Sequence, residues 1–176
     1  RFKVEGGKDH FIQDLVRGEV KFPEDMVGDF VLMRSNGMPV YNFCCAVDDA
    51  LMEISHVFRA EEHLSNTLRQ KLIYEALGFE MPEFGHLSLI LGKDKQKLSK
   101  RHGATSCHQY KELGYLPDAL LNFVALLGWS PGGDKEIFSR QELIDQFDVS
   151  RLHVAGGGFD GEKINREITT PFASQE

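Results

Sequence analysis

Between residues 64 and 78 the apolar positions recur at helical spacing: Leu64, Leu68, Leu72 and Ala76 stand four apart, and Gly78 follows where a left-handed C-cap belongs. This predicts a helix over Ser65–Leu77. Before it, Met52 to Arg59 is rich in β-formers, with Met52, Ile54 and Phe58 in one register, as in a strand largely buried in a parallel sheet. Earlier, Phe30–Met33 and Val40–Phe43 are β-rich runs on either side of Asn36-Gly37, which predicts a hairpin turning at that dipeptide. Residues 11–22 mix apolar positions (Phe11, Ile12, Leu15, Val16, Val20, Phe22) with charged ones and end at Pro23, so strand and short helix both fit.

Beyond Gly78, Leu87–Leu91 reads as a short apolar strand delivering the chain to Gly92, after which helical signals dominate. Ser106 with Gln109 is a capping box, and Gly114 closes the short helix it opens. Pro117 suits the first turn of the next helix, with Leu120, Leu121, Val124 and Leu127 as its buried face and Gly128 as its end. A second capping box, Ser139 with Glu142, opens a helix through Phe147, and Gly156-Gly157-Gly158 reads as a flexible break.

Composition narrows the classes. With 176 residues, 41% hydrophobic and 27% charged, the chain can bury a globular core. No apolar run approaches the ~20 residues that span a bilayer, and no signal-peptide pattern opens the chain; a cytoplasmic protein without membrane contact is expected. Three cysteines, Cys44, Cys45 and Cys107, form neither a disulfide framework nor a zinc spacing. The histidines show no ligand spacing either, so no metal site is assigned. A net charge of -7 argues against wrapping nucleic acid indiscriminately.

Against that acidic background, Lys93 to Arg101 carries five cations (Lys93, Lys95, Lys97, Lys100, Arg101) and one anion, Asp94. A solvated basic turn would account for this on charge alone; a polyphosphate site would account for it as well, because ammonium groups act as point charges on phosphate oxygens. The wording of the loop decides between them. Lys97-Leu98-Ser99-Lys100-Arg101 resembles the KMSKS signature of class I aminoacyl-tRNA synthetases, and its continuation His102-Gly103-Ala104-Thr105-Ser106 resembles that of glutamyl-tRNA synthetases of bacterial type. Gly37 to Phe43, Val47 to Met52, Arg59 to Leu64, Gly114 to Asn122 and Leu126 to Ser130 resemble the same family in order and spacing, so the likeness covers roughly residues 10 to 160.

The resemblance implies an α/β fold, the second half of a class I synthetase Rossmann-like parallel sheet followed by a mainly helical stem-contact domain. Residues 1–40 would end an inserted tRNA acceptor-binding region, 41–78 would form the second half of the catalytic domain, and 79–160 would hold the KMSKS loop and stem-contact helices. Residues 161–176 form a tail without a domain assignment, in which Arg166 to Thr170 depart from the family pattern, and no function is read from residues 167–176. The implied activity is glutamate–tRNA ligation: ATP, with Mg2+, activates L-glutamate to glutamyl-adenylate, and the glutamyl group passes to the 3' end of tRNA(Glu). Whether tRNA(Gln) is also a substrate stays open. A monomer is expected. Neither a HIGH-type motif nor an anticodon-binding region falls within these residues, so the chain is expected to be a portion of a longer enzyme, inactive alone.

By resemblance, Lys100 and Lys97 offset charge growing on the departing pyrophosphate, with Ser99 holding the loop or supplying a hydroxyl. The ATP set is Lys97, Leu98, Ser99, Lys100, Arg101, Glu62 and His63. The glutamate set is Tyr41, Cys45 and Arg59, with Arg59 gripping the side-chain carboxylate through two hydrogen bonds. Cys45 stands where some relatives carry a polar residue. From the residues alone Arg59 could equally pair with Glu61 or Glu62 as a strand-end salt bridge. Asp48 and Asp49 fit helix or turn capping as well as a tRNA-facing surface. His86 comes near adenine by resemblance, and reads as a packed or surface histidine otherwise. Two further readings remain: a non-catalytic nucleotide- or RNA-binding remnant, and the paralogue that glutamylates a modified tRNA nucleotide.

Overall fold

A computed structural model describes residues 1–98 and 106–159. The chain divides into two compact units, Arg1–His86 and a second from Leu87 on.

The first unit is built on a four-stranded sheet. Strand β1 (His10–Asp14) alternates inward His10, Ile12 and Asp14 with outward Phe11 and Gln13, as a half-buried strand must. It pairs antiparallel with β2 (Gly18–Phe22), which resolves the open reading of residues 11–22 as a hairpin. Helix α1 (Tyr41–Leu51) follows, then β3 (His56–Ala60), helix α2 (Leu64–Leu77) and β4 (Glu83–Leu87). The strand order is β2-β1-β4-β3, with β1 and β4 parallel. The sheet is therefore mixed, not purely parallel, because the short Asp14–Gly18 connection returns the chain antiparallel.

The core lies between this sheet and the two helices. Leu68 and Leu72 of α2 pack with Ile12, Phe22 and Val27; Ile73 and Tyr74 pack with Ala46 of α1 and Phe84 of β4. Gly78 takes φ 67° and ψ 28°, closing α2 as the pattern predicts.

Three expectations for this unit need correction. The Asn36-Gly37 turn forms, with Arg34 N donating to Met38 O and Met33 bridging Pro39, but Val40–Phe43 is no strand: Val40 is the N-cap of α1. β-rich residues enter a helix here because Ala46 and Phe43 find an apolar surface at helical spacing. The strand placed at Met52–Arg59 starts only at His56, since Leu51, Met52 and Glu53 end α1, Glu53 with φ 55°. Its register is also flipped. Val57 packs into the core while Phe58 is exposed on the other face; β3 ends the strand order rather than sitting in its middle. Finally, the strand expected at Leu87–Leu91 lies at Glu83–Leu87. Its buried Gly85 and His86 do not look apolar in the sequence. Gly85 is buried because the Phe58 ring covers it: a Cβ there would stand 2.4 Å from Phe58 Cε1. Gly85→Ala is expected to destabilise the protein by about 1–3 kcal/mol, the usual cost of overpacking, measurable by urea unfolding.

In the second unit, Leu91 bridges Lys97 and Gly158. Gly92 to Gln96 form a tight turn in which Gly92 N donates to Gln96 O and Asp94 Oδ1 accepts from Gln96 N. Helices α3 (Cys107–Glu112), α4 (Pro117–Leu126) and α5 (Arg140–Gln146) follow. Both capping boxes form, and Pro117 opens α4. The buried face of α4 is Ala119, Asn122 and Phe123, while Leu121 and Val124 are exposed. Asn122 is buried because its side chain donates to Glu136 O and accepts from Phe138 N, so a polar residue occupies the place expected of leucine. The glycine run is packed, not a loose break: a Cβ on Gly157 would meet Leu127 O at 2.1 Å. Among the described residues no helix is long and apolar enough to cross a membrane.

Candidate functional site

The polar groups of the first unit converge on Arg59 at the end of β3. Its Nη2 donates to Thr67 Oγ1 (2.6 Å) and Gln70 Oε1 (2.8 Å) of α2, and its Nε donates to His86 Nε2 of β4 (3.3 Å). The Phe84 ring lies 5.2 Å from the guanidinium carbon. Nε and Nη2 are thus committed to the protein, and the Tyr41 hydroxyl also hydrogen-bonds the guanidinium. The salt-bridge reading of Arg59 with Glu61 does not hold, since Glu61 pairs with Arg17.

The support for Arg59 reaches further. Gln70 Nε2 donates to Asn42 Oδ1, Asn42 Nδ2 to Asn66 Oδ1, and Asn66 meets His63 Nδ1 at 3.2 Å. On the other side, His86 Nδ1 lies 2.5 Å from Asp14 Oδ2, both side chains fully buried. Asp14 also accepts from the backbone N–H groups of Val16, Arg17 and His86, which fixes it at the corner of the β1–β2 hairpin. Guanidinium nitrogens only donate, so Arg59 Nε requires a lone pair on His86 Nε2. The His86 proton therefore sits on Nδ1, toward Asp14. Thr67 Oγ1, 2.9 Å from the same Nε2, completes an Asp–His–Thr order familiar from acyl transfer. It is not a nucleophile here: Thr67 is wholly buried and its oxygen accepts from Arg59.

Burial pushes the His86 imidazole below its ordinary 6.5, against the pull of Asp14. Burial alone would raise Asp14, but the hydrogen bonds from His86, Arg17 and Val16 bring it below the ordinary 3.8. As pH falls below 6.5 the unfolded chain takes up the histidine proton before the folded one does; below 3.8 the same holds for the carboxylate. Stability is therefore expected to decline from pH 6.5 downward and again below pH 3.8, with the upper stage reduced in His86→Gln, as urea unfolding across pH would show.

Tyr41, Cys45 and Asp49 follow one another along α1. Tyr41 and Cys45 share a side-chain hydrogen bond. Burial raises the Cys45 thiol, the Tyr41 phenol and the Asp49 carboxyl, and Arg59 pulls all three back. Tyr74 is buried within electrostatic reach of the same groups: its hydroxyl has no hydrogen-bond partner among the described residues, and burial pushes it up to about 12. Asp48 and Asp49 lie in the last turn of α1, where their carbonyls, not their carboxylates, accept from Met52 and Ile54, so the capping reading fails.

The glutamate set of Tyr41, Cys45 and Arg59 is thus brought together. Glu62 and His63 sit in the single turn Glu61–His63, His63 with its ring 6.0 Å from that of Tyr41. Lys97 and Leu98 belong to the second unit, on the arm returning from the Gly92–Gln96 turn; Ser99, Lys100 and Arg101 lie outside the described residues. His86 does not suit an adenine contact, being fully buried with both ring nitrogens engaged. Sequence reasoning missed Asp14, Thr67, Gln70 and Asn42. The available signal was polar Thr67 and Gln70 three apart within a helix whose neighbours Leu68 and Leu72 are core.

Comparison with known proteins decides the family. Residues 1–166 match the catalytic domain of the class I tRNA synthetases for E and Q. The chain belongs to that family. The glutamate–tRNA ligase of Bdellovibrio bacteriovorus is 62% identical over 165 residues, covering 93% of this chain and 34% of that protein. The corresponding ligase of Carboxydothermus hydrogenoformans is 58% identical over 94% of this chain and 34% of its own length. The chain therefore spans about a third of these curated relatives. Among solved structures, a glutamate tRNA ligase from Elizabethkingia meningosepticum, in complex with its amino acid, superposes with a TM-score of 0.87 at 40% identity, over 95% of this chain and 37% of that one. The glutamate-tRNA synthetase of Elizabethkingia anophelis gives 0.83 at 40% identity, over 91% and 36%. For a class I tRNA synthetase domain, a mixed sheet with helices is the fold these neighbours share with it.

Proposed function

We propose that these residues form part of a glutamate–tRNA ligase, supplying the second half of its catalytic sheet and the helical region that contacts the tRNA stem. The glutamate α-carboxylate attacks the α-phosphorus of ATP, pyrophosphate departs, and the glutamyl group of the adenylate passes to the 3' end of tRNA(Glu). The lysines around Lys97 and Lys100 stabilise the charge on the departing pyrophosphate. Mg2+ enters with ATP as part of the substrate, as is usual for phosphate-bound magnesium; among the described residues no group of three or more His, Cys, Asp or Glu side chains could hold a metal. The reaction takes place in the cytoplasm, by a monomer.

The observation that carries this reading is Arg59, a cation fixed on three sides by Thr67, Gln70 and His86, with the Tyr41 hydroxyl bonded to the same guanidinium. A fixed cation selects an anionic side chain over an amide of the same shape. The similar glutamate tRNA ligase of Elizabethkingia meningosepticum has been solved in complex with its amino acid. The test is transfer of labelled glutamate to a tRNA(Glu) transcript, with a control transcript whose 3' terminal ribose has been oxidised. Label on the intact transcript alone is expected. Label on both places the glutamate elsewhere on the tRNA and favours the paralogue reading.

A further inference from the structure

We infer that Asp14 and His86 are positioning residues for Arg59, setting how its Nη1 edge meets the substrate side chain. The inference deepens the proposed glutamate site and rests on it.

Both side chains are fully buried, one on each of two neighbouring parallel strands. Burial of a carboxylate and an imidazole is costly unless every polar atom is satisfied, and here the satisfaction is directional. Asp14 Oδ2 takes the His86 Nδ1 proton at 2.5 Å, so the lone pair of Nε2 points to Arg59 Nε and Thr67 Oγ1. Thr67 Oγ1 in turn accepts from Arg59 Nη2. Two of the three nitrogens of the guanidinium are thereby fixed, one directly by His86 and one through Thr67, and a planar group held at two nitrogens has its third defined. The chain runs from the hairpin corner at Asp14 to the ligand-facing edge of Arg59 without a flexible side chain in it.

Asp14→Asn breaks the chain at its origin with little change of shape. Asparagine Oδ1 can keep the backbone donors of Val16, Arg17 and His86, which leaves the amide nitrogen facing His86 Nδ1. An amide donates, so the imidazole proton moves to Nε2 and confronts the Arg59 Nε–H, donor against donor. Arg59 must then turn away. The expected kinetic result is a rise in KM for glutamate of about 10- to 100-fold, by analogy with the loss of a carboxylate that orients a metal-bound histidine, with KM for ATP unchanged. A merely structural role would move both constants, or neither while lowering the melting temperature.

Two readouts test this together. Nitrogen NMR of the ring of His86, assigned by its loss in His86→Gln, is expected to show the neutral Nδ1–H form in the parent and the Nε2–H form in Asp14→Asn. ATP–pyrophosphate exchange gives the KM values. An Nε2–H ring in the parent overturns the inference even if the variant fails to fold. Glutamate-dependent exchange with KM for glutamate unchanged in Asp14→Asn overturns it while leaving the glutamate reading intact. Exchange driven by another amino acid overturns both.

Discussion

Arg59→Ala is expected to lower kcat/KM for glutamate in ATP–pyrophosphate exchange on the order of 1000-fold, since removing one partner of a desolvated charge pair costs about 3–5 kcal/mol and each 1.4 kcal/mol is about tenfold. The loss should appear chiefly in KM for glutamate and leave KM for ATP nearly unchanged. Part of the effect will be structural, because Thr67, Gln70 and His86 lose their donor, and a buried acceptor left alone costs about 1–3 kcal/mol. Arg59→Lys separates the two contributions. It keeps the charge, but a single ammonium cannot serve Thr67, Gln70 and His86 while also presenting protons to a ligand. Its stability should therefore recover partly and its KM for glutamate stay high.

Lys100→Ala is expected to act on the other constant. In the proposed mechanism the lysine meets charge that grows as pyrophosphate leaves, so its removal should lower kcat by roughly 100- to 1000-fold, as loss of one transition-state donor does elsewhere, with KM for glutamate little changed. Stopped-flow or exchange kinetics on the two variants would show the split: a binding defect for Arg59, a rate defect for Lys100. An equal loss in both constants for Lys100→Ala would instead place that side chain in ground-state binding.

What could be read from the chain, and what could not, follows from the range over which each signal acts. The capping boxes at Ser106 and Ser139, the Gly78 cap and Pro117 are local chemistry, decided within four residues, and each stands where the pattern put it. Arg59 and Tyr41 were singled out because the family wording around them is local too, and the structure brings the two side chains together across α1 and β3. The Asp14–His86 pair spans 72 residues and depends on two parallel strands meeting; no local pattern announces it. Gly85 was hidden for a similar reason. A glycine reads as a turn, but here it is the only residue that leaves room for the Phe58 ring. The register of β3 failed because Phe58 is strongly apolar and yet faces outward over that glycine, while half-buried Arg59 takes the inner face with Val57. In α4 the same inversion puts Asn122 inside and Val124 outside, once Asn122 finds backbone partners at Glu136 and Phe138. In each case a polar group with designated partners outcompeted a hydrophobic one for the interior.

The most direct test of the account is the amino-acid dependence of ATP–pyrophosphate exchange, run with glutamate and with glutamine, in the presence and absence of tRNA, on the whole ligase that carries these residues and on its Arg59→Ala variant. Exchange that requires glutamate, is not supported by glutamine, and falls on the order of 1000-fold in the variant is the predicted result. Exchange with glutamine at a comparable rate, or a variant that keeps its glutamate dependence, would contradict the claim that Arg59 reads the substrate's side-chain carboxylate.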